Sequence, residues 1–249
     1  MKQTFLHRYP SLLAAAPGLV CFLLRLGLYT LEEPSGLLPR SHPFHIATLV
    51  IALVTAAAVY RFILPQKGSG TYGPNFPADP LAVAGPCFAA LWLLPVAFDI
   101  GERAVGKLDL AWAVLAFLAV PCLLCIGLFR HAGRRPHFLI HGMLCLFFAI
   151  HMLCQYQTWS SNPQIADYFF CLLACVFLTL AAYYRALFDL DDGKRRKLLL
   201  CGLLAGFFCI CSLAGEGEKR FYLSGALWAL TDLCAVKPTQ QEEKTDVSA

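Results

Sequence analysis

The sequence predicts an all-α integral membrane protein, a polytopic bundle of about eight transmembrane helices, and three observations lead there. Hydrophobic residues make up 58% of the 249, charged residues only 14%, and mean hydropathy is +0.61. A soluble fold has too little interior to hide that much apolar surface. The apolar residues fall in runs long enough to cross about 30 Å of hydrocarbon at about 1.5 Å of rise each. Lys and Arg collect in alternate connections, as they do where alternate loops face the cytoplasm.

The runs extend from Ser11 to Leu31, His45 to Leu64, Leu81 to Phe98, Leu110 to Phe129, Phe138 to Cys154, Ala166 to Phe188, Leu198 to Ala214 and Phe221 to Val236. The last two are short, and their turn from Gly215 to Arg220 leaves a re-entrant dip open as the alternative to a full hairpin. The first follows Lys2 and Arg8 as a signal peptide would. It is nevertheless long, contains Arg25 and shows no small-x-small cleavage site before Glu32, so it reads as a span. Residues 1–236 thus form one transmembrane helical domain, and 237–249 a polar tail expected to be disordered. The longest connection, Pro65 to Pro80, reads as a flexible Gly/Pro-rich loop, its Lys67-Gly68-Ser69-Gly70 too short for a phosphate loop.

Orientation follows from the cations. With the N-terminus inside, the cytoplasmic side holds Lys2, Arg8, Arg61, Lys67, Arg130, Arg134, Arg135, Arg185, Lys194, Arg195, Arg196, Lys197, Lys237 and Lys244, against Arg40, Arg103, Lys107, Lys219 and Arg220 outside. Both termini are therefore expected in the cytoplasm. The net charge of +4 marks helix ends and forms no basic stripe with interleaved aromatics, which argues against nucleic acid as a partner. The expected partner is the lipid bilayer. Lys194, Arg195, Arg196 and Lys197 form the one basic run, read either as a positive-inside anchor or as a site for anionic lipid headgroups.

All twelve cysteines fall within or beside apolar runs, so no disulfide framework is expected. Cys122 and Cys125 make a C-x-x-C in mid-span after Pro121, where packing is the plainer reading. No cofactor or metal site is expected: Ser41 to His45 at the start of the second span only loosely suggests a zinc hydrolase, and no histidine follows His151. Tyr60-Arg61, Phe129-Arg130 and Tyr184-Arg185 end alternate spans, a pattern that four duplicated helical hairpins would explain, as would the ordinary aromatic and cationic belts of a membrane interface. Gly85, Pro86 and Pro95 predict a kinked third span, with a pocket wall as the alternative.

Ionisable groups at bilayer depth are the candidate site residues, because each is costly unless paired or watered. Arg25 is the sharpest: its Cα–Cβ bond leans toward the cytoplasmic end, against snorkelling outward. Glu32 lies two turns on along the same face, and Asp99 and Asp167 sit at the same outer rim. His151 and Gln155 share one face of the fifth span at i, i+4 spacing, and His151 reads either as a packed histidine bonded to a neighbouring helix or as a general base or metal ligand. His141 lies near the inner end of that helix, about 15 Å away, too far to share a metal with His151 through this helix alone. Asp232, in the inner half of the last span, is a candidate for bonding between helices, with proton relay as the alternative.

From Gly133 onward the chain resembles an uncharacterised family of small polytopic membrane proteins from anaerobic Gram-positive bacteria. The segments that carry the resemblance are Gly133 to His141, Trp159 to Gln164, Tyr184 to Asp189 and Leu227 to Asp232. It implies a bacterial cell membrane and transfers no functional residue. The sequence-level reading is a non-enzymatic binding, transport or sensory component with an outward-facing polar crevice around Arg25, taking a small anionic ligand. The competing reading is a membrane-embedded enzyme acting on a lipid or isoprenoid.

Overall fold

The computed structural model describes residues 10–31, 42–66, 68–76, 79–160, 168–215, 218–234 and 236. Its described residues form eight long helices and one helical turn: α1 (Leu12–Tyr29), α2 (Pro43–Ile63), the turn α3 (Tyr72–Asn75), α4 (Pro80–Arg103), α5 (Lys107–His131), α6 (Phe138–Trp159), α7 (Phe169–Asp189), α8 (Arg195–Ser212) and α9 (Lys219–Cys234).

Local signals set the helix starts. His42 and Asp79 each cap a helix that opens on proline, their side chains accepting from the N–H of Phe44 and Leu81, and His137 caps α6 in the same way. Two of the ends are equally specific. After α5, Arg134 N–H donates to Phe129 O and Gly133 N–H to Arg130 O; after α7, Asp192 N–H donates to Leu187 O and Asp191 N–H to Phe188 O. Both are Schellman motifs, with Gly133 at φ 62 and Asp191 at φ 59 in the left-handed position. α4 and α6 overrun their apolar runs, reaching Arg103 and Trp159. Hydropathy falls at the first polar residue, whereas a helix continues until a cap or a proline ends it.

Among the described residues six helices, α1, α2 and α4 to α7, are long and apolar enough to cross a membrane. Their outward faces carry bare apolar side chains such as Leu23, Leu53, Leu91 and Leu128, all more than 60% exposed, as a lipid-facing surface does. The last two helices have 18 and 16 residues and lie inside the others. α8 packs on α1, α2, α7 and α9, and fifteen of its residues are buried. α9 packs on α4 and α8, and Phe147 and Phe148 of α6 reach its Phe221. Close approach of α4 and α9 depends on Gly85, where a Cβ would occupy the space of the Thr231 side chain. At one end of α9 Arg220 faces Asp99 of α4 at 4.0 Å; at the other Asp232 meets Arg130 of α5. The final helix therefore runs from the Asp99 end of α4 to the Arg130 end of α5.

Candidate functional site

The ends of α5, α7 and α9 and the start of α6 bring five ionisable side chains together out of solvent. Arg185 and Asp189 sit one turn apart on α7 and pair at 3.1 Å. Asp189 turns its second oxygen to His141 Nδ1 at 2.6 Å. Asp232 accepts the Arg185 Nε–H on Oδ1 at 3.4 Å, with Oδ2 3.3 Å from the same nitrogen, and the same Oδ1 meets Arg130. The order Arg130, Asp232, Arg185, Asp189, His141 is thus an unbroken chain of buried contacts, each residue under 5% exposed. Two guanidiniums against two carboxylates make it neutral with an uncharged imidazole, the arrangement that limits the cost of burying ions.

A segment of the α2–α4 connection closes this end. Phe76 lies beneath both cations, 3.8 Å from the Arg185 guanidinium carbon and 5.2 Å from that of Arg130, and Tyr72 lies 5.0 Å from Arg185. The basic run clamps the segment from the other side. Arg195 Nη1 donates to Asn75 Oδ1 at 2.6 Å, Asn75 Nδ2 to the Ser69 and Thr71 carbonyls, and Arg196 Nε to Gln66 O at 3.1 Å. Lys197 stands over the Tyr184 ring and Lys194 is exposed. Part of the run read as an anchor or a headgroup site is therefore a structural clamp. The loop expected to be flexible is tied down over its described residues.

Beside the network is a cavity of about 520 Å³ lined by Tyr72, Gly73, Phe76, Arg130, Gly133, Arg134, Arg135 and Asp191. Arg130 is 3% exposed, and its Nε and Nη1 have no hydrogen-bond partner among the described residues. Asp191 accepts the Tyr72 backbone N–H at 2.9 Å and pairs with Arg135 at the rim. That N–H foremost, with the Arg135 guanidinium, holds the Asp191 carboxyl below the usual aspartate range. Compared with protein-family models, curated proteins and solved structures, the chain matches none.

Arg25, Asp99 and His151, singled out from sequence, lie toward the opposite end and have separate partners. Arg25, 3% exposed, stands 4.5 Å over the Phe170 ring and donates to the Tyr29 hydroxyl at 3.4 Å. Asp99 faces Arg220, and Gln155 is half-buried. His151 is fully buried, accepts Trp112 Nε1–H on Nδ1 at 3.2 Å and stacks on Phe221 at 3.6 Å, the packed arrangement of a neutral ring. Glu32, Asp167 and Ser41 lie outside the described residues. Asp232 does bond between helices, holding α5 and α7 to α9. Of the three aromatic-Arg pairs, Arg130 and Arg185 are buried on Asp232, whereas Arg61 is exposed.

Sequence reasoning missed the cavity. Two signals could have found it: Arg185 and Asp189 at i, i+4 near a span end, and a second aspartate, Asp232, at the same depth.

Proposed function

We propose that the protein is a membrane-embedded binding component whose anionic ligand enters the cavity between α3, α5 and the α7–α8 turn, at the end opposite Arg25. One observation carries this reading: Arg130, which lines a cavity whose rim adds Arg134 and Arg135, is a buried guanidinium two of whose nitrogens, Nε and Nη1, have no hydrogen-bond partner among the described residues. Buried donors are almost always satisfied, and an anion is what three guanidiniums would satisfy. Asp232 anchors Arg130 from behind, so the cation is placed before the ligand arrives.

The bias of Lys and Arg toward this end supports a cytoplasmic placement of the cavity, and the resemblance above supports a bacterial cell membrane. The binding reading is favoured over the enzymatic one because His141, the side chain best suited to move a proton, is wholly buried and does not line the cavity.

The test is thermal unfolding of the purified protein against sulfate, phosphate and chloride at constant ionic strength. Oxyanions are expected to raise the melting temperature of wild type and to do so much less in the double variant Arg134→Gln, Arg135→Gln, whose changes lie on the rim. Equal shifts in both proteins would overturn the reading.

A further inference from the structure

The composition of the cavity wall narrows the ligand, and this inference rests on the binding reading above. A bare oxyanion would leave most of about 520 Å³ empty, whereas that volume suits a small organic molecule. Tyr72 and Phe76 contribute aromatic surface, and a Cβ on Gly73 or Gly133 would meet nothing within 4 Å, so those stretches border open space. The wall therefore has an anion-recognising part, Arg130, Arg134 and Arg135, and an apolar part.

One internal anion already sits there. Asp191 holds a backbone N–H and a guanidinium, the two donor types that a phosphoryl oxygen takes. It is the only non-glycine with positive φ among the described residues, and that conformation carries its carboxylate to the rim.

We propose that the cavity takes a phosphate bearing an organic substituent, and that its phosphoryl group displaces Asp191 from Arg135 while the substituent packs on Tyr72 and Phe76. Such a phosphate can come from a soluble metabolite or from a lipid headgroup. No bond is made or broken.

The experiment is equilibrium binding to the full chain in phosphatidylcholine nanodiscs, with inorganic phosphate, glycerol 3-phosphate and, in a third arm, phosphatidic acid as the one anionic lipid. An organic phosphate is expected to bind about tenfold tighter than inorganic phosphate. Binding of glycerol 3-phosphate identifies a soluble source, and binding of phosphatidic acid alone identifies a headgroup. Asp191→Asn, which keeps an acceptor for Tyr72 N–H and tolerates the backbone, should tighten binding several-fold, and Arg135→Gln should weaken it; unchanged melting temperatures show that both variants fold. Inorganic phosphate binding as tightly as either organic arm, or Asp191→Asn leaving affinity unchanged, overturns this inference and leaves the anion site standing. Failure of wild type to bind any of the three overturns the reading beneath it.

Discussion

Arg130 and Asp232, 102 residues apart in the chain, form a buried ion pair that joins the end of α5 to the end of α9. The same carboxylate holds Arg185 of α7, so one aspartate fixes the mutual positions of three helices directly beneath the cavity. Arg130 gives one donor to that pair and also lines the cavity beside it.

Asp232→Ala should therefore be severe. It leaves Arg130 uncompensated and deprives Arg185 of one partner, a loss of about 3 to 5 kcal/mol for a broken buried pair. In a double-mutant cycle with Arg130→Met, the coupling measured by unfolding in detergent should exceed about 1 kcal/mol. Strict additivity would show that the pair is not formed.

Gly85→Ala tests the inner packing of α4 on α9. The added methyl collides with Thr231, and overpacking of this kind costs about 1 to 3 kcal/mol. Thr231→Ala in the same chain should restore most of the loss in melting temperature, and no restoration would mean that the two helices do not meet there.

The membrane class was legible because hydropathy and cation placement are composition-level signals that span boundaries barely affect. Asp232 and His141 were legible as residues but not as partners, since nothing local says that α9 ends beside α5 and α7. Arg25 attracted attention through its isolation within an apolar run. Arg130 and Arg185 stand at span ends, where the positive-inside rule already explains a cation, so their burial left no mark in the sequence. The clamp formed by Arg195 and Arg196 was hidden for the same reason.

Glu218, just before α9, supplies a pH dependence at the opposite end. Burial pushes its carboxyl up from 4.5 to about 7, with Arg103 opposing and Asp99 reinforcing the shift. Between these values the folded state holds a proton that the unfolded chain has released, so stability falls as pH rises from 4.5 to 7. The change is on the order of 1 to 3 kcal/mol, and Glu218→Gln should flatten it in unfolding curves taken across that range. An unaltered slope in the variant would assign the dependence elsewhere.

Asp191 works with the opposite sign. Its contact with Tyr72 N–H and Arg135 is complete above the ordinary aspartate value of 3.8 and is lost as pH falls below it. Hydrogen exchange at the Tyr72 amide should accelerate there relative to its intrinsic rate, and Asp191→Ala should show fast exchange at every pH. Equal protection in both proteins would separate Asp191 from the segment it is bonded to.

A crystal structure with tungstate, a heavy oxyanion that marks its own position by anomalous scattering, tests the anion site at Arg130 most directly. The anion should lie in the cavity within hydrogen-bond reach, about 3 Å, of Arg130 Nη1 or Nε, with Arg134 or Arg135 as a second ligand. Tungstate bound only at the exposed Lys194, Arg196 and Lys197, with Arg130 untouched, would overturn the cavity as the anion site.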